Sequence, residues 1–336
     1  MKGKEKIGII GLGLIGGSLA VSLRAGYTVV GCSHSADTVS YALENSIIDE
    51  AVSSYDGFAD CIALFVCTPL SLVRKTVCAA QSALGDSVII TDVGSVKGML
   101  EGLSGRIIGG HPMAGTEQSG VRAAKERLFE NAYYILCDYN SNKKDLEIIT
   151  EIIKFIGAKP IVMTASVHDA LVSKISHLPH MLAYSLVTSA LSGEESIVGS
   201  GFMDTTRIAS SSPDFWNTVT HLNRDNIVKE MDGFLEVFKA LRDKIADGGD
   251  ISGFLQEAKD KRDKLSYTKR YMTEYVLYAD VPDRVGSIAD IVSKLSGAGI
   301  SIGNLEVTNS REGKGGALRI ELKDEASFVK AKEILL

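Results

Sequence analysis

No apolar run in the chain approaches the roughly 20 residues that a membrane span requires,. The opening residues, MKGKEKIGII, lack the apolar core and small-residue cleavage site of a secretory leader and enter a strand pattern at once,. Positive charge is not in excess: 36 Lys and Arg face 42 Asp and Glu, a net charge of −6. That balance points away from nucleic acid and from an anionic membrane surface. The cysteines Cys32, Cys61, Cys67, Cys78 and Cys137 form no C-x-x-C pair, and four lie in apolar strand or helix patterns. Buried free thiols in a reducing cytoplasm are the expectation. There is no internal repeat and no low-complexity tract.

What is present divides the 336 residues into three regions. Residues 1–165 alternate short apolar, β-rich runs with helical ones. Strands are expected at 6–10, 28–32, 61–67, 87–92, 106–109, 133–137 and 160–163. Continuous apolar strands belong to a sheet covered by helices on both faces, so this region reads as a doubly wound, mainly parallel α/β domain. Residues 166–270 carry long helical patterns, SVHDALVSKISHLPHMLAYSLVTSAL and NRDNIVKEMDGFLEVFKALRDKIADG, separated by a polar loop, SGFMDTTRIASSSPDFW. The charged stretch LQEAKDKRDKLSYTKR reads as a solvated surface helix. Residues 273–336 read β-α-β-β-α, a split βαβ unit of ferredoxin-like type that stops before its last strand.

The first chemical motif is Gly11-Leu12-Gly13-Leu14-Ile15-Gly16. It follows an apolar strand and opens a helix, the context that makes a glycine loop a dinucleotide site. Gly11 permits the tight turn, Gly13 a close approach to the pyrophosphate, and Gly16 close helix–strand packing. The acid that usually meets the adenosine ribose is missing: strand two ends on Ser33, His34 and Ser35. Two hydroxyls and an imidazole can donate to a 2′-phosphate and no carboxylate repels it, so NADP is favoured mildly over NAD. Cys67-Thr68-Pro69 and the run from Thr91-Asp92 to Ser95 and Lys97 stand at carboxyl ends of strands, where such sheets bind ligands,.

Four further features carry candidate chemistry. His111 lies between Gly110 and Pro112 in an expected loop, either as a surface histidine or as an acid–base group,. His177 and His180 are three apart, without a third ligand at metal spacing, so no metal is expected. Arg207 stands near Asp204, as an ion pair or as a bidentate clamp for a carboxylate. Trp216, the single tryptophan, follows nine residues later.

GLGLIGGS, VCTPL, TDVGSVK, GGHPMAGTEQSG, SHLPH and GFMDTTRIA, in that order over residues 6–265, resemble the prephenate/arogenate dehydrogenase family of tyrosine biosynthesis,. DVPDRVGSIADIVSKLSGAGISIGNL resembles an ACT regulatory domain, with Val285 where a proline commonly precedes the glycine. The resemblance implies oxidative decarboxylation of prephenate to 4-hydroxyphenylpyruvate with hydride transfer to NAD(P), without metal. His111 is then the base on the 4-hydroxyl, with a pKa near the ordinary 6.5, and Ser95 is the hydroxyl that orients it. Arg207 clamps a substrate carboxylate, Lys97 supports the same shell, His177 and His180 lie by substrate and nicotinamide, and Glu117, Asp204 and Trp216 form a gate. Met203 replaces a basic residue of the family. The resemblance also implies a homodimer through residues 166–270. L-tyrosine is the expected effector, held by Asp280, Gly286, Ser287 and Asn304. Arogenate, which differs by one amino group, is the alternative substrate. Two other classes remain: a β-hydroxyacid dehydrogenase, with Lys174 as its lysine, and a non-catalytic sensor of nicotinamide and amino acid.

Overall fold

The structure, a computed structural model, describes residues 4–115, 118–139, 143–191, 193, 197–265, 275–282, 284–311 and 315–335. Two compact units are present, 1–237 and 238–336. Among the described residues no helix is long and apolar enough to cross a membrane.

The first unit is built on an eight-stranded sheet: β1 (Lys6–Ile10), β2 (Thr28–Cys32), β3 (Glu50–Ala51), β4 (Cys61–Val66), β5 (Ile89–Asp92), β6 (Ile107–Pro112), β7 (Tyr133–Asp138) and β8 (Lys159–Met163). Their order is β3-β2-β1-β4-β5-β6-β7-β8. All pairings are parallel except β6–β7. The order reverses between β1 and β4, the crevice where open α/β sheets take ligands. Helices α1 (Leu14–Leu23), α2 (Ala36–Glu44), α3 (Leu70–Leu84) and α4 (Lys143–Phe155) cover the faces. Ile7, Ile9, Ala63, Phe65 and Ile89 pack into one buried cluster with Leu19 and Leu23 of α1 and Ile149, Ile152 and Ile153 of α4. The alternate residues Ile10, Leu64, Val66 and Ile90 pack with Val73, Val77 and Ala80 of α3. Period-two side chains buried on both faces account for the near-continuous apolar strands. The two-residue β3 was not expected, and β6 runs three residues further than expected, through His111 to Pro112.

Beyond β8 the unit is helical: α5 (Ala165–Val172), a π turn (Ser173–His177), α6 (Leu178–Ala190), α7 (Ser200–Thr206), a 3₁₀ turn (Arg207–Ser210), α8 (Pro213–Leu222) and the start of α9 (Arg224–Ala246). The wide turn before α6 has a local cause. Pro179 has no N–H to return to the carbonyl four residues back, and the ladder widens ahead of it. The polar loop expected at 200–216 is instead largely helical. Thr205 and Thr206 bond back to the carbonyls of Gly201 (2.8 Å) and Phe202 (2.7 Å), which satisfies their hydroxyls inside α7,. Ser212 caps α8 by accepting from Phe215 N–H (3.4 Å), with Pro213 in the first turn,.

In the second unit α10 (Ser252–Asp263) is solvated and carries Lys259–Asp263 and Lys261–Glu257 pairs one turn apart,. β9 (Val276–Val281), β10 (Ile302–Arg311) and β11 (Gly315–Leu322) form an antiparallel sheet in the order β10-β11-β9. Helices Ser287–Gly297 and Glu325–Leu335 contribute Ile291, Leu295 and Ala331 to the small core beside this sheet. The observed order is the β-α-β-β-α expected from sequence.

Candidate active site

At the sheet crevice, Gly11 has φ +95° and its N–H donates to Cys32 O (2.9 Å), so the turn leaves β1 only with a glycine there,. A Cβ at Gly16 would lie 2.0 Å from Gly11 O, which fixes that glycine by packing. Gly13 differs. It caps α1, and a Cβ there would meet nothing within 4 Å. Packing does not require its missing side chain. The open approach over Gly13, Leu14 and Ile15, facing the unpaired N–H groups of α1, fits a pyrophosphate. At the end of β2, Ser35 caps α2 by accepting from Thr38 N–H (3.3 Å), and His34 and Ser33 flank it without a carboxylate. Thr68 Oγ1, between Cys67 and Pro69, the N-cap of α3, is buried and has no hydrogen-bond partner among the described residues. Burial holds the Cys67 thiol well above its usual pKa, so it stays protonated,.

The second half of the site is a hydrogen-bonded row of three side chains. His168 Nδ1 meets Asp169 Oδ1 at 2.7 Å, and His168 Nε2 meets His111 Nδ1 at 2.8 Å. A carboxylate only accepts, so in its neutral form His168 carries its proton on Nδ1 and presents a bare Nε2. His111 must then donate from Nδ1, which leaves its Nε2 lone pair as the acceptor. Asp169 is fixed in turn: Oδ1 also accepts from Lys97 N–H and Oδ2 from Gly98 N–H, both at 2.7 Å. His111 therefore stands in a strand, paired opposite Ile135, rather than in the expected loop. Its pKa is displaced well below the expected 6.5. Burial is the main cause, followed by the charges of His168, Lys97 and His177,. Neither His168 nor Asp169 was singled out from sequence. The signal available was an adjacent His-Asp pair one helix upstream of SHLPH.

Several expected contacts differ. Ser95 Oγ is buried and has no hydrogen-bond partner among the described residues; the group bonded to His111 is His168, not Ser95. Lys97 and Asp92, expected against substrate and cofactor, are both fully buried at 0% exposure and are paired with each other. His177 is buried; Asn223 Nδ2 donates to its Nδ1 (3.2 Å) and to Asp169 O (2.9 Å). Burial lowers the His177 pKa to about 4,. His180 donates from Nδ1 to Ser176 O (2.9 Å) and stacks on Trp216, ring centroids 3.7 Å apart. Trp216 is buried among Leu70, Val96, Val219 and Ile227. Arg207 and Asp204 are on the solvent side of the α7 segment. The Arg207 charge acts on His180, helping burial to lower that imidazole's pKa. Glu117 lies outside the described residues. No three His, Cys, Asp or Glu side chains among the described residues form a metal-binding group.

In the second unit Gly286 (φ +93°) caps the helix Ser287–Gly297, and Ser287 Oγ is buried with no hydrogen-bond partner among the described residues. Asn304 accepts from Leu305 N–H (2.9 Å), and Asp280 lies on the exposed face of β9.

Comparison with known proteins finds matches along most of the chain. Residues 19–162 match the prephenate dehydrogenase nucleotide-binding domain, 164–259 the prephenate dehydrogenase dimerization domain, and 275–336 the ACT domain. A prephenate dehydrogenase of Bacillus subtilis is 33% identical, over 99% of this chain and 96% of the relative. The crystal structure of prephenate dehydrogenase from Aquifex aeolicus in complex with hydroxyphenyl propionate and NAD+ superposes with a TM-score of 0.71. It is 31% identical and covers 77% of this chain and 97% of that one. Synechocystis arogenate dehydrogenase superposes with a TM-score of 0.68 at 31% identity, over 77% of this chain and 99% of that one.

Proposed function

The chain belongs to the prephenate dehydrogenase family, and from that premise we propose that it converts prephenate to 4-hydroxyphenylpyruvate and CO₂ with hydride transfer to NAD(P). The observation that carries the reading is the row Asp169–His168–His111, which leaves one neutral imidazole nitrogen free to accept a proton beside a dinucleotide cradle. The bound nicotinamide supplies the hydride acceptor. His111 Nε2 takes the 4-hydroxyl proton as the C4 hydride leaves, and the resulting imidazolium is stabilised through His168 by the Asp169 carboxylate. Loss of the ring carboxylate as CO₂ makes the ring aromatic and returns negative charge to the same oxygen. His111 then hands its proton back. Atoms balance without net proton release, so a half-buried base that exchanges no proton with water suffices.

Arg207 is proposed to clamp a substrate carboxylate near the stacked His180 and Trp216, with Asp204 and Glu117 on the same approach. Ser95 Oγ and Thr68 Oγ1, buried and without partners among the described residues, are proposed to complete their hydrogen bonds with substrate and cofactor,. Ser33, His34 and Ser35 accommodate a 2′-phosphate, which favours NADP. The same family reading makes the chain a homodimer through its helical region, where Val167 and Ile175 are 56% and 57% exposed,. A reducing cytoplasm suits its five free cysteines,. L-tyrosine is proposed as effector at Gly286 and Ser287. There a helix start and a buried hydroxyl with no partner among the described residues suit a carboxylate,.

Turnover assays of prephenate and arogenate against NAD and NADP test the assignment. Faster turnover of arogenate would make the chain an arogenate dehydrogenase, and no turnover of either would leave a sensor. Deleting residues from 273 onward should abolish inhibition by tyrosine and keep turnover. Unchanged inhibition would place the inhibitor in the catalytic pocket.

A further inference from the structure

The loop between β5 and β6 holds both ends of the histidine row. Lys97 Nζ donates to Asp92 Oδ2 and to Gly110 O (2.5 Å). Asp92 Oδ1 accepts from Gly110 N–H (3.1 Å), and Oδ2 accepts from Gly94 N–H (2.8 Å). Both backbone groups of Gly110, the residue before His111, are thus tied to one buried ion pair. The backbone of the same loop, Lys97 N–H and Gly98 N–H, grips Asp169, which orients His168. Tyr139 closes the loop from β7's end, donating to Lys97 O (2.8 Å). The two glycines ahead of His111 make room for this arrangement. A Cβ on Gly110 would lie 2.3 Å from Asp92 O, and one on Gly109 would lie 3.1 Å from Lys97 Cδ.

A fully buried ion pair is weak evidence for stability, because desolvating two charges offsets their attraction. Here the pair also saturates the polar groups of one dipeptide link with directed bonds. We infer that Asp92 and Lys97 are positioning residues for His111, which they act on through Gly110, and that they are not ligands of substrate or cofactor. The inference rests on the reading of His111 as the base. Lys97 has a second effect through charge. The groups facing His111 are His168 and Asp169 from α5, His177 from the π turn, and Lys97 from this loop. The cation among them opposes imidazolium formation.

The test uses the full chain with prephenate and NAD(P). Lys97→Met removes both bonds and the charge at similar length. Lys97→Gln keeps a donor for Gly110 O but drops the charge. A misplacement of about 1 Å costs on the order of 100-fold in rate. The Met variant should therefore lose about that factor in kcat, with KM for prephenate and cofactor within about threefold of the parent. The Gln variant should recover part of the loss. In both, the acid limb of the kcat–pH profile should move to higher pH, a readout that a merely structural role would not shift. A raised KM for prephenate with kcat preserved would make Lys97 a substrate ligand and overturn the inference. A raised cofactor KM alone in Asp92→Asn would overturn it for Asp92. Failure of both Lys97 variants to fold would also overturn it, since the pair would then serve the sheet. Absence of turnover in the parent chain would instead refute the reading of His111, and the same assay reports that first.

Discussion

If His168 serves catalysis only through His111, their removal cannot add. The perturbation is a double-mutant cycle with His111→Asn, His168→Leu and the pair. Asn at 111 keeps a polar side chain but no base, and loss of a general base costs roughly 10²–10⁴-fold in kcat. Leu at 168 leaves His111 Nδ1–H without the acceptor it now meets at 2.8 Å. A hydrogen bond to a group that becomes charged is worth about 1.5–3 kcal/mol, or roughly 10- to 150-fold. In the His111→Asn background no imidazolium forms, so His168→Leu should cost less than about threefold more. The coupling should therefore cancel nearly all of the 1.5–3 kcal/mol. The assay is single-turnover formation of reduced nicotinamide, so that product release does not mask chemistry. Cofactor affinity, measured separately, should be unchanged in all three variants. If the two losses multiply in the double variant, His168 acts on the substrate directly and the row is not a unit.

The acid side of the kcat–pH profile gives a second check. Burial and the surrounding charges disfavour the protonated form of His111, so inactivating protonation occurs only below the ordinary value of about 6.5,. Half-maximal kcat at or above pH 6.5 would contradict this, once chemistry is shown to limit the rate. Ser33→Asp places a carboxylate at the end of β2 and should turn preference toward NAD by repelling a 2′-phosphate. An unchanged NADP/NAD ratio of kcat/KM would show that the ribose lies elsewhere. If Arg207 makes the proposed charge-assisted contact, Arg207→Gln removes about 1.5–3 kcal/mol, so KM for prephenate should rise roughly 10- to 150-fold with cofactor KM nearly constant. Equal weakening of both ligands would identify a structural role.

The parts of this molecule legible in its sequence are those set by periodicity and by backbone geometry. Apolar runs gave the strands, and the glycine turn declared its own φ at Gly11. The extent of β6 was hidden because Gly109, Gly110 and Pro112 have poor strand propensity, yet the antiparallel partner β7 holds them,. The helix α7 was hidden in a Gly- and Thr-rich run because its threonine hydroxyls satisfy themselves on the preceding turn. In the site, the motif pointed to His111 and to its role as a base, but not to its displaced pKa. A pKa near 6.5 is the value for an imidazole in water. The side chains that displace it come from sequence positions 14 residues before it (Lys97) and 57 residues after it (His168).

That long-range construction fits the reaction. A base that must release its proton to solvent needs an open route and tolerates an ordinary pKa. The proposed reaction lends a proton to His111 and takes it back at the same oxygen, so exchange with water brings no advantage. Desolvation that would hinder an ordinary acid–base histidine is then useful. It keeps the resting imidazole neutral and would make the imidazolium a short-lived donor, supported among the described residues by His168 and Asp169. The buried Lys97 beside it works in the same direction, discouraging the proton from staying. On the proposed mechanism, the low-pKa histidine, the buried Asp169 carboxylate and the Ser95 hydroxyl, which has no hydrogen-bond partner among the described residues, form one arrangement that the substrate rather than water would complete,.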